Sequence, residues 1–322
     1  MLSEFDLIKQ YFQRQAPRRA VLGIGDDCAL LAPSPGMQMA ISCDMLVEGR
    51  HFFAGADARM LGHKALAVNL SDLAAMGATP RAFTLALSLP SAERAWLEGF
   101  SAGLFALADA HQCELIGGDT TRGPLNICIT VFGEVAPGRA LRRDAARAGD
   151  DIWISGTLGD ARLALAGYRD ELALDAGQLA AAAVRMHAPT PRVALGMALS
   201  AHAGAHAAID ISDGLVGDLG HILAASGVGA TLAVDALPAG PVLATQPTAL
   251  KRRFCAAGGD DYELCFTAPA SQRAAVMAAA AQAGTPVTRA GVIEAAAGLR
   301  LVDAAGAALA LALAGFDHFS GD

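Results

Sequence analysis

Carboxylates in glycine-containing segments are the residues of this chain best suited to chemistry. In GIGDDCAL, residues 23–30, two glycines lead into Asp26 and Asp27. Glycine lets a backbone turn tightly, and adjacent aspartates supply the hard oxygen ligands that Mg²⁺ prefers. Because buried carboxylates without partners would each cost several kcal/mol, we expect such acids to converge on one Mg²⁺-filled site that attracts a polyphosphate. Further acids stand in ISCD (41–44), NLSD (69–72), GGDTTRG (117–123) and DISDG (210–214).

The elements predicted for the first half of the chain place Asp44 and Asp119 just after strands. After the first helix, the predicted elements follow the order strand, helix, strand, helix, strand, strand. This order indicates one α/β domain. Open α/β sheets bind ligands beyond the ends of their strands, which favours a functional role for these acids. The sequence pattern predicts helices over 3–14, 57–76 and 91–112, and strands over 37–43, 81–89, 113–116 and 125–135.

A segment rich in Gly, Pro and Arg separates the two halves. We expect an N-terminal α/β domain over 1–137 that carries the metal and ATP loops, a linker over 138–150, and a C-terminal α/β domain over 151–322. Asp210 follows a short predicted strand in the second domain. There the pattern predicts strands over 151–155, 207–209, 230–234, 262–267, 287–293 and 299–302, and helices from 160 and over 192–203, 215–225 and 271–283.

Asp72 is the most informative single acid. It lies in ALAVNLSDLAAMG, a nearly apolar helical run where a carboxylate needs a cation or strong donors, and it shares a helix face with Asn69. A buried capping role is the alternative, although the pattern predicts a position in the middle of the helix. Isolated Gly-Asp pairs at 149–150, 159–160 and 217–218 are interpreted as turns or helix caps.

Other polar positions each have two interpretations. Asp210 and Asp213 either ligate metal or belong to a loop in which Ser212 or Asp213 caps the next helix, and a helix N-terminus also suits phosphate. His51 is a catalytic histidine or a surface or packed one. Arg142 and Arg143 are solvated linker charges or phosphate contacts. The segment GGDDYELCF, 258–266, is a turn or the wall of a second ligand site.

Composition limits the class of protein. With 322 residues, 53% hydrophobic and 17% charged, the chain is long and apolar enough for two globular domains and is unlike a disordered protein. The net charge of −8 argues against a nucleic-acid partner. No GxxxxGK[ST] is present, so metal, arginine and backbone N–H groups would hold the phosphates. Oxygen donors favour Mg²⁺ or Mn²⁺ over Zn²⁺.

The cellular compartment is inferred from cysteines and from apolar segments. Six cysteines without CxxC spacing are expected to be free thiols in a reducing cytosol. The first residues lack the basic start and apolar run of a signal peptide, and the most apolar tract, 304–316, is too short to cross a bilayer. We therefore expect a soluble, cytoplasmic protein without a membrane partner.

The assembled motifs resemble those of the thiamine-monophosphate kinase family, in the superfamily of aminoimidazole ribonucleotide synthetase and selenophosphate synthetase. The resemblance implies an N-terminal α/β domain that pairs strands across a homodimer, a C-terminal α/β domain, and ATP bound between them with several Mg²⁺ ions. The likeness covers nearly the whole chain, through GIGDDCAL, ISCDMLVEGRHF, GHKALAVNLSDLAAMGATP, IGGDTTRGPL, DISDGL, GGDDYELCF and GFDHF.

The resemblance also implies roles for individual residues. Three positions depart from the family: Cys43 stands where Thr is usual, Asp260 where Glu is usual, and Phe316 lacks a hydroxyl often found there. A ligand role of position 43 would use its backbone carbonyl. The implied metal ligands are Asp27, Ser42, Asp44, Asp72, Asp119, Asp210 and Asp213, of which Asp119, Asp44 and Asp72 are the implied catalytic residues. The implied ATP contacts are Gly118, Asp119, Arg143, Ser212 and His111, and the implied thiamine monophosphate contacts are His51, Asp260 and Phe316.

The implied reaction is transfer of the γ-phosphoryl group of ATP to thiamine monophosphate, which gives thiamine diphosphate and ADP. Both substrates are anions and the acceptor phosphate is already ionised, so alignment and charge neutralisation matter more than a covalent nucleophile or a strong base. We expect direct in-line transfer. The alternatives are another ATP-dependent synthetase of the superfamily, acting on selenide or a purine precursor, and a metal-dependent phosphohydrolase or nucleotide sensor.

Overall fold

The computed structural model describes residues 4–14 and 19–311, except the side chains of residues 4, 5 and 203. Its Cα positions divide the chain into two compact units. Unit 1 comprises Met1–Leu73 and Ala78–Gly138, and unit 2 comprises Ala74–Gly77 and Arg139–Asp322. The inclusion of Ala74–Gly77 in unit 2 was not predicted by any sequence pattern.

Unit 1 is built on a mixed four-stranded sheet of order β1-β4-β2-β3. Only β2 and β3 run parallel; β4 is antiparallel to both β1 and β2. The predicted order strand, helix, strand, helix, strand, strand is confirmed. The elements are α1 (Glu4–Leu7) with a π-helical turn at Ile8–Phe12, β1 (Gln38–Val47), α2 (Ala58–Ala75), β2 (Thr79–Leu89), α3 (Arg94–Ala110), β3 (Glu114–Arg122) and β4 (Asn126–Val135).

Alternating apolar residues bury one face of this sheet. Period-2 patterning sends successive side chains to opposite faces, and the buried set includes Phe83, Leu85, Ile127 and Ile129. The other face is more open; on β1 it carries Ile41, Cys43 and Met45, all three exposed.

The helices α2 and α3 approach each other closely at two glycines. A Cβ atom added at Gly62 would lie 2.0 Å from the carbonyl oxygen of Phe100, and one at Gly103 would lie 1.8 Å from that of Arg59. Real side chains would force the helices apart, so both glycines are required by packing. The N-terminal turns dock on α3: Phe12 is buried, and its ring meets that of Phe100 edge-on at a centroid distance of 6.5 Å.

Three predicted strand ends were wrong. Asp44 lies inside β1, Asp119 inside β3, and Asp210 inside a strand of unit 2. The glycine-rich GGDTTR was interpreted as a loop, but its backbone continues β3 by pairing in parallel with Thr84–Leu89. Interstrand hydrogen bonding therefore overrides the turn preference of glycine here.

Unit 2 is built on a six-stranded sheet of order β10-β7-β9-β5-β8-β6, antiparallel except for β10 and β7. Its predicted strands are confirmed within a few residues, whereas α5 and α8 were not predicted. The elements are β5 (Asp150–Ser155), α4 (Asp160–Tyr168), α5 (Ala176–His187), α6 (Val193–Ala198), β6 (Ala208–Ile211), α7 (Leu215–Ser226), β7 (Gly229–Ala233), α8 (Thr248–Ala257), β8 (Glu263–Pro269), α9 (Arg273–Gln282), β9 (Val287–Glu294) and β10 (Gly298–Val302).

Two further expectations are addressed by the fold. All six cysteines are free thiols, as predicted. Across the described parts of the chain, no helix combines the length and the apolar character that crossing a membrane requires.

Candidate active site

One group of predicted site residues in unit 1 lines a cavity of about 1060 Å³. The loop after the first glycines contributes Asp26 and Asp27, and β3 contributes Gly118 and Asp119. Three residues assigned from the sequence, Asp27, Gly118 and Asp119, therefore line one cavity. All three are exposed, so the charges of Asp27 and Asp119 can meet a ligand.

Gly118 is required by the backbone geometry at this cavity. Its φ angle is +145°, and a Cβ atom there would lie 1.9 Å from the carbonyl oxygen of Leu85 on β2. A strand residue with a side chain could not approach β2 this closely. The neighbouring Gly117 is unconstrained by comparison, since a Cβ atom there would lie 3.9 Å from the nearest atom, Thr84 Cγ2.

A second group joins β1 to α2. The Ser42 hydroxyl donates a hydrogen bond to Asp72 Oδ2. The backbone N–H of Asp44 donates to Asn69 Oδ1 at 3.1 Å, and Asn69 Nδ2 donates to the carbonyl of Ala65 at 3.0 Å. Asn69 is buried and thereby fixes the position of Asp44. The predicted common face of Asn69 and Asp72 is confirmed, since both contact β1.

Asp72 does not lie in the middle of its helix, as the sequence pattern predicted. It occupies the last turn of α2, which ends at Ala75. The carbonyl ends of a helix carry partial negative charge, so a carboxylate there is disfavoured unless donors or a cation compensate it. The hydroxyl of Ser42 supplies one donor.

The donor atoms fit Mg²⁺, and those of unit 1 form two groups. Carboxylate and hydroxyl oxygens are the hard ligands that this ion prefers. Among the described residues, no three His, Cys, Asp or Glu side chains are close enough to hold one ion. β1 and β3 are opposite edges of the sheet, separated by β4 and β2. Three strand spacings of about 4.8 Å put Asp44 and Asp119 about 14 Å apart in one chain.

His51 follows β1 in a turn, where its ring has a defined orientation. The N–H of Val47 donates to His51 Nδ1 at 3.0 Å, so the ring proton of the neutral form lies on Nε2. The residue is half-buried. It is thus a packed histidine, one of the two interpretations made from the sequence, and its functional role stays a prediction.

Three assigned nucleotide contacts, His111, Arg143 and Ser212, are not among the residues that line the unit 1 cavity. His111 ends α3, and burial, followed by the nearby His63, lowers its pKa below the usual value. Arg143, in unit 2, is exposed, and its carbonyl accepts a hydrogen bond from the Ser226 hydroxyl at 2.8 Å. Its neighbour Arg142 forms an exposed ion pair with Asp144. The side chain of Arg142 is therefore paired with a residue of its own segment.

The DISDG segment of unit 2 is held by a carboxylate that sequence reasoning did not assign to the site. Asp218 Oδ2 accepts hydrogen bonds from the consecutive N–H groups of Ser212, Asp213 and Gly214, at 3.2, 3.3 and 3.1 Å. Burial, followed by the charge of Asp213, raises the pKa of Asp218 to about 6. The predicted capping by Ser212 or Asp213 was wrong, because Gly214 is the N-cap of α7 and Asp218 satisfies the N–H groups.

The GGDDY segment lies against DISDG. The N–H of Asp260 donates to the carbonyl of Ser212, and that of Tyr262 to the carbonyl of Ile211, both at 2.8 Å. Asp260 and Tyr262 have φ angles of +68° and +49°, a left-handed conformation that side chains disfavour. Asp210 is buried in β6, and its backbone is paired with Leu264 of β8. Asp210, Ser212, Asp213 and Asp260 therefore belong to two adjoining segments.

Asp261 stabilises the left-handed turn from within. Its buried carboxylate accepts the N–H of Gly159 at 2.8 and 3.0 Å, and its carbonyl accepts a hydrogen bond from Arg185 at 2.7 Å. Burial raises the pKa of Asp261 well above its usual value, although the Gly159 hydrogen bond and Arg185 oppose this. Phe316, the remaining assigned substrate contact, lies outside the described residues.

Comparison with known proteins identifies the family. Residues 25–135 match the N-terminal domain of AIR synthase related proteins, and residues 147–304 match the C-terminal domain of the same proteins. The chain is 46% identical to thiamine-monophosphate kinase of Salmonella typhimurium and 45% identical to that of Escherichia coli K12, each over 98% of both chains. The chain belongs to the thiamine-monophosphate kinase family.

Solved structures of this kinase family share the fold. Thiamine-monophosphate kinase from Stenotrophomonas maltophilia K279a superposes with a TM-score of 0.84 at 48% identity, over 93% of this chain and 96% of that one. AaThiL complexed with AMPPCP and TMP superposes with a TM-score of 0.75 at 27% identity, over 98% and 96%. The expected fold, two α/β domains of the aminoimidazole ribonucleotide synthetase-like type, is confirmed.

Proposed function

We propose that this protein transfers the γ-phosphoryl group of ATP directly to thiamine monophosphate, which gives thiamine diphosphate and ADP. The observation that carries this proposal is the identity of 46% over 98% of both chains with a thiamine-monophosphate kinase. A structural relative of the same family, AaThiL, was solved in complex with AMPPCP and TMP. The division into residues 1–137, 138–150 and 151–322, with metal and ATP loops in the first, is part of the proposal.

The chain's polar groups suit in-line transfer between two anions. Phosphoryl transfer needs alignment and neutralisation of charge, and the acceptor phosphate is ionised at neutral pH. Gly118 lets the β3 backbone lie close to β2 at the edge of the cavity, which Asp119 also lines. We assign the ATP contacts to Gly118, Asp119, Arg143, Ser212 and His111.

Several Mg²⁺ ions are proposed on the acids of both units. Bound Mg²⁺ would neutralise the repulsion between the two phosphate groups. The oxygen-only donor set supports this ion, and so does the placement of Asp72 at the carbonyl end of α2. We assign the ligands to Asp27, Ser42, Asp44, Asp72, Asp119, Asp210 and Asp213, with Asp119, Asp44 and Asp72 as the catalytic residues.

We assign the acceptor, thiamine monophosphate, to His51, Asp260 and Phe316. His51 offers a defined Nε2–H donor because Val47 fixes its other nitrogen. Asp260 stands in a turn whose backbone is held by the DISDG segment. An aromatic ring would suit the thiazolium and pyrimidine rings of this substrate.

A homodimer is also part of the proposal. β1 is an edge strand of ten residues whose exposed side chains Ile41, Cys43 and Met45 form an apolar stripe. An exposed edge strand with an apolar stripe tends to be covered by another chain, and here we assign that role to the sheet of a second copy. Since Ser42 and Asp44 lie on one edge strand and Asp119 on the opposite one, two copies could bring the β1 edge of one to the β3 edge of the other. We also propose a cytoplasmic location, on the basis of six free thiols.

One assay tests the reaction. The protein is incubated with ATP, MgCl₂ and thiamine monophosphate, and thiamine diphosphate and ADP are quantified by chromatography. We expect both products in a 1:1 ratio. Formation of ADP without thiamine monophosphate would instead indicate a phosphohydrolase, and turnover with selenide or a purine precursor in its place would indicate another synthetase of the superfamily.

A further inference from the structure

A buried charge network in unit 2 ends on the turn that carries Asp260. At its centre is Glu263, which is fully buried on β8. Its carboxylate accepts hydrogen bonds from the Ser155 hydroxyl at 2.6 Å, from Arg185 at 2.9 Å and from Arg192 Nε at 2.6 Å. Ser155 in turn accepts the N–H of Leu264 at 2.8 Å, which ties the network to the β8 backbone.

The two arginines differ in one respect. Arg185 uses the same terminal nitrogen to contact Glu263 and to donate a hydrogen bond to the carbonyl of Asp261 at 2.7 Å. Arg192 contacts Glu263 through two side-chain nitrogens, and within the described residues its side-chain hydrogen bonds all go to that carboxylate. Their side chains are about equally exposed, at 17% and 16%. Arg185 therefore connects the charge network to the turn. The hydrogen bonds of the Arg192 side chain to described residues stay within the network.

The turn needs this support because its backbone is strained. Asp260 and Tyr262 adopt left-handed φ angles of +68° and +49° on either side of Asp261. Such residues persist only where the surroundings hold them. Asp261 is held at both its polar ends, by Gly159 at the carboxylate and by Arg185 at the carbonyl. These two contacts fix the residue between the strained positions.

We propose that Arg185 and Asp261 are positioning residues for the acceptor site: they hold the turn in the conformation that presents Asp260 to thiamine monophosphate. This inference rests on the function proposed above. It predicts that loss of either contact raises the KM for thiamine monophosphate more than the KM for ATP.

The matched variants Arg185→Met and Arg192→Met test the proposal. Each removes one of the two arginines from Glu263, and only the first removes the hydrogen bond to the turn. We expect Arg185→Met to raise the KM for thiamine monophosphate about tenfold, since it removes one charge-assisted hydrogen bond, and to leave the KM for ATP within about twofold. Arg192→Met should leave both KM values within about twofold.

Equal shifts of the acceptor KM in the two variants, or an equal shift of the ATP KM in Arg185→Met, would overturn the proposal. Asp261→Asn and Asp261→Ala provide a second route if Arg185→Met fails to fold: Asn keeps an acceptor oxygen for the Gly159 N–H and should rescue the acceptor KM that Ala raises. Wild-type values for Asp261→Ala would also overturn it. Failure of the proposed function is distinguishable, because the wild-type protein would then form no thiamine diphosphate.

Discussion

Replacement of Gly118 by alanine tests how the chain builds the wall of the unit 1 cavity. A Cβ atom at this position would lie 1.9 Å from the carbonyl oxygen of Leu85 and 2.6 Å from its carbonyl carbon. Contacts below 3.0 Å are essentially unknown for real Cβ atoms, so β2 and β3 would have to separate by about 1 Å. The two strands are paired in parallel at this point, which leaves little freedom for that movement.

Two costs add to the expected destabilisation. A side chain at a φ of +145° costs about 1–3 kcal/mol, since this region is accessible almost only to glycine. Forced overpacking costs about 1–3 kcal/mol more. Gly118→Ala should therefore lower the free energy of unfolding by about 2–6 kcal/mol, a large part of the roughly 5–15 kcal/mol typical of a folded protein.

The assay is urea unfolding followed by circular dichroism, with turnover measured on the same samples. Gly117→Ala is the matched control, because a Cβ atom there meets only Thr84 Cγ2, at 3.9 Å. We expect the control to unfold within about 1 kcal/mol of the wild type. If Gly118→Ala were as stable as Gly117→Ala, the close approach of β3 to β2 described above would be wrong.

Three further predictions concern single polar groups. Asp119→Asn should abolish thiamine diphosphate formation with an unchanged urea midpoint; wild-type turnover would remove Asp119 from the catalytic residues. His51→Ala should raise the KM for thiamine monophosphate more than that for ATP, and equal increases would argue against its assignment to the acceptor. Because the pKa of Asp218 is raised from 3.8 to about 6, mainly by burial, its ionisation opposes folding. In metal-free buffer, raising the pH from about 4 to about 6 should lower the free energy of unfolding of the wild type by up to roughly 3 kcal/mol relative to that of Asp218→Asn. Urea titrations at each pH measure this difference, and parallel pH profiles of the two proteins would contradict the prediction.

The fold was predictable where local patterns and tertiary packing agree. The strands of unit 1 alternate clearly, and α2 and α3 carry long apolar runs. α5 was missed because five of its twelve residues, AGQLAAAAVRMH, are alanines, which fit any face of a helix and weaken the periodicity. The capping box formed by Asp175 and Gln178 was a readable signal. The extent of β3 was missed because its pairing with β2 depends on a partner distant in sequence.

The site was predictable in residue type and less so in arrangement. Acids such as Asp27 and Asp119 were recognisable because several similar segments recur, and they do line one cavity. Asp218 and Asp261 were indistinguishable from ordinary turn acids, since their roles depend on which distant N–H groups reach them. Burial of those carboxylates is a tertiary property that no short motif expresses. The convergence of all the assigned acids on one site stays a prediction.

The alternation of side chains along β1 has a consequence for how the protein would respond to its own concentration. Ile41, Cys43 and Met45 alternate with Ser42 and Asp44, so one ten-residue strand serves the exposed apolar face and the contacts with α2. A partner that packs on Ile41, Cys43 and Met45 would therefore also restrain Ser42 and Asp44. In the proposed homodimer with Mg²⁺ held by Ser42 and Asp44, self-association and cation affinity would be thermodynamically linked. By reciprocity, Mg²⁺ would then tighten the assembly by the same factor as assembly tightens Mg²⁺ binding.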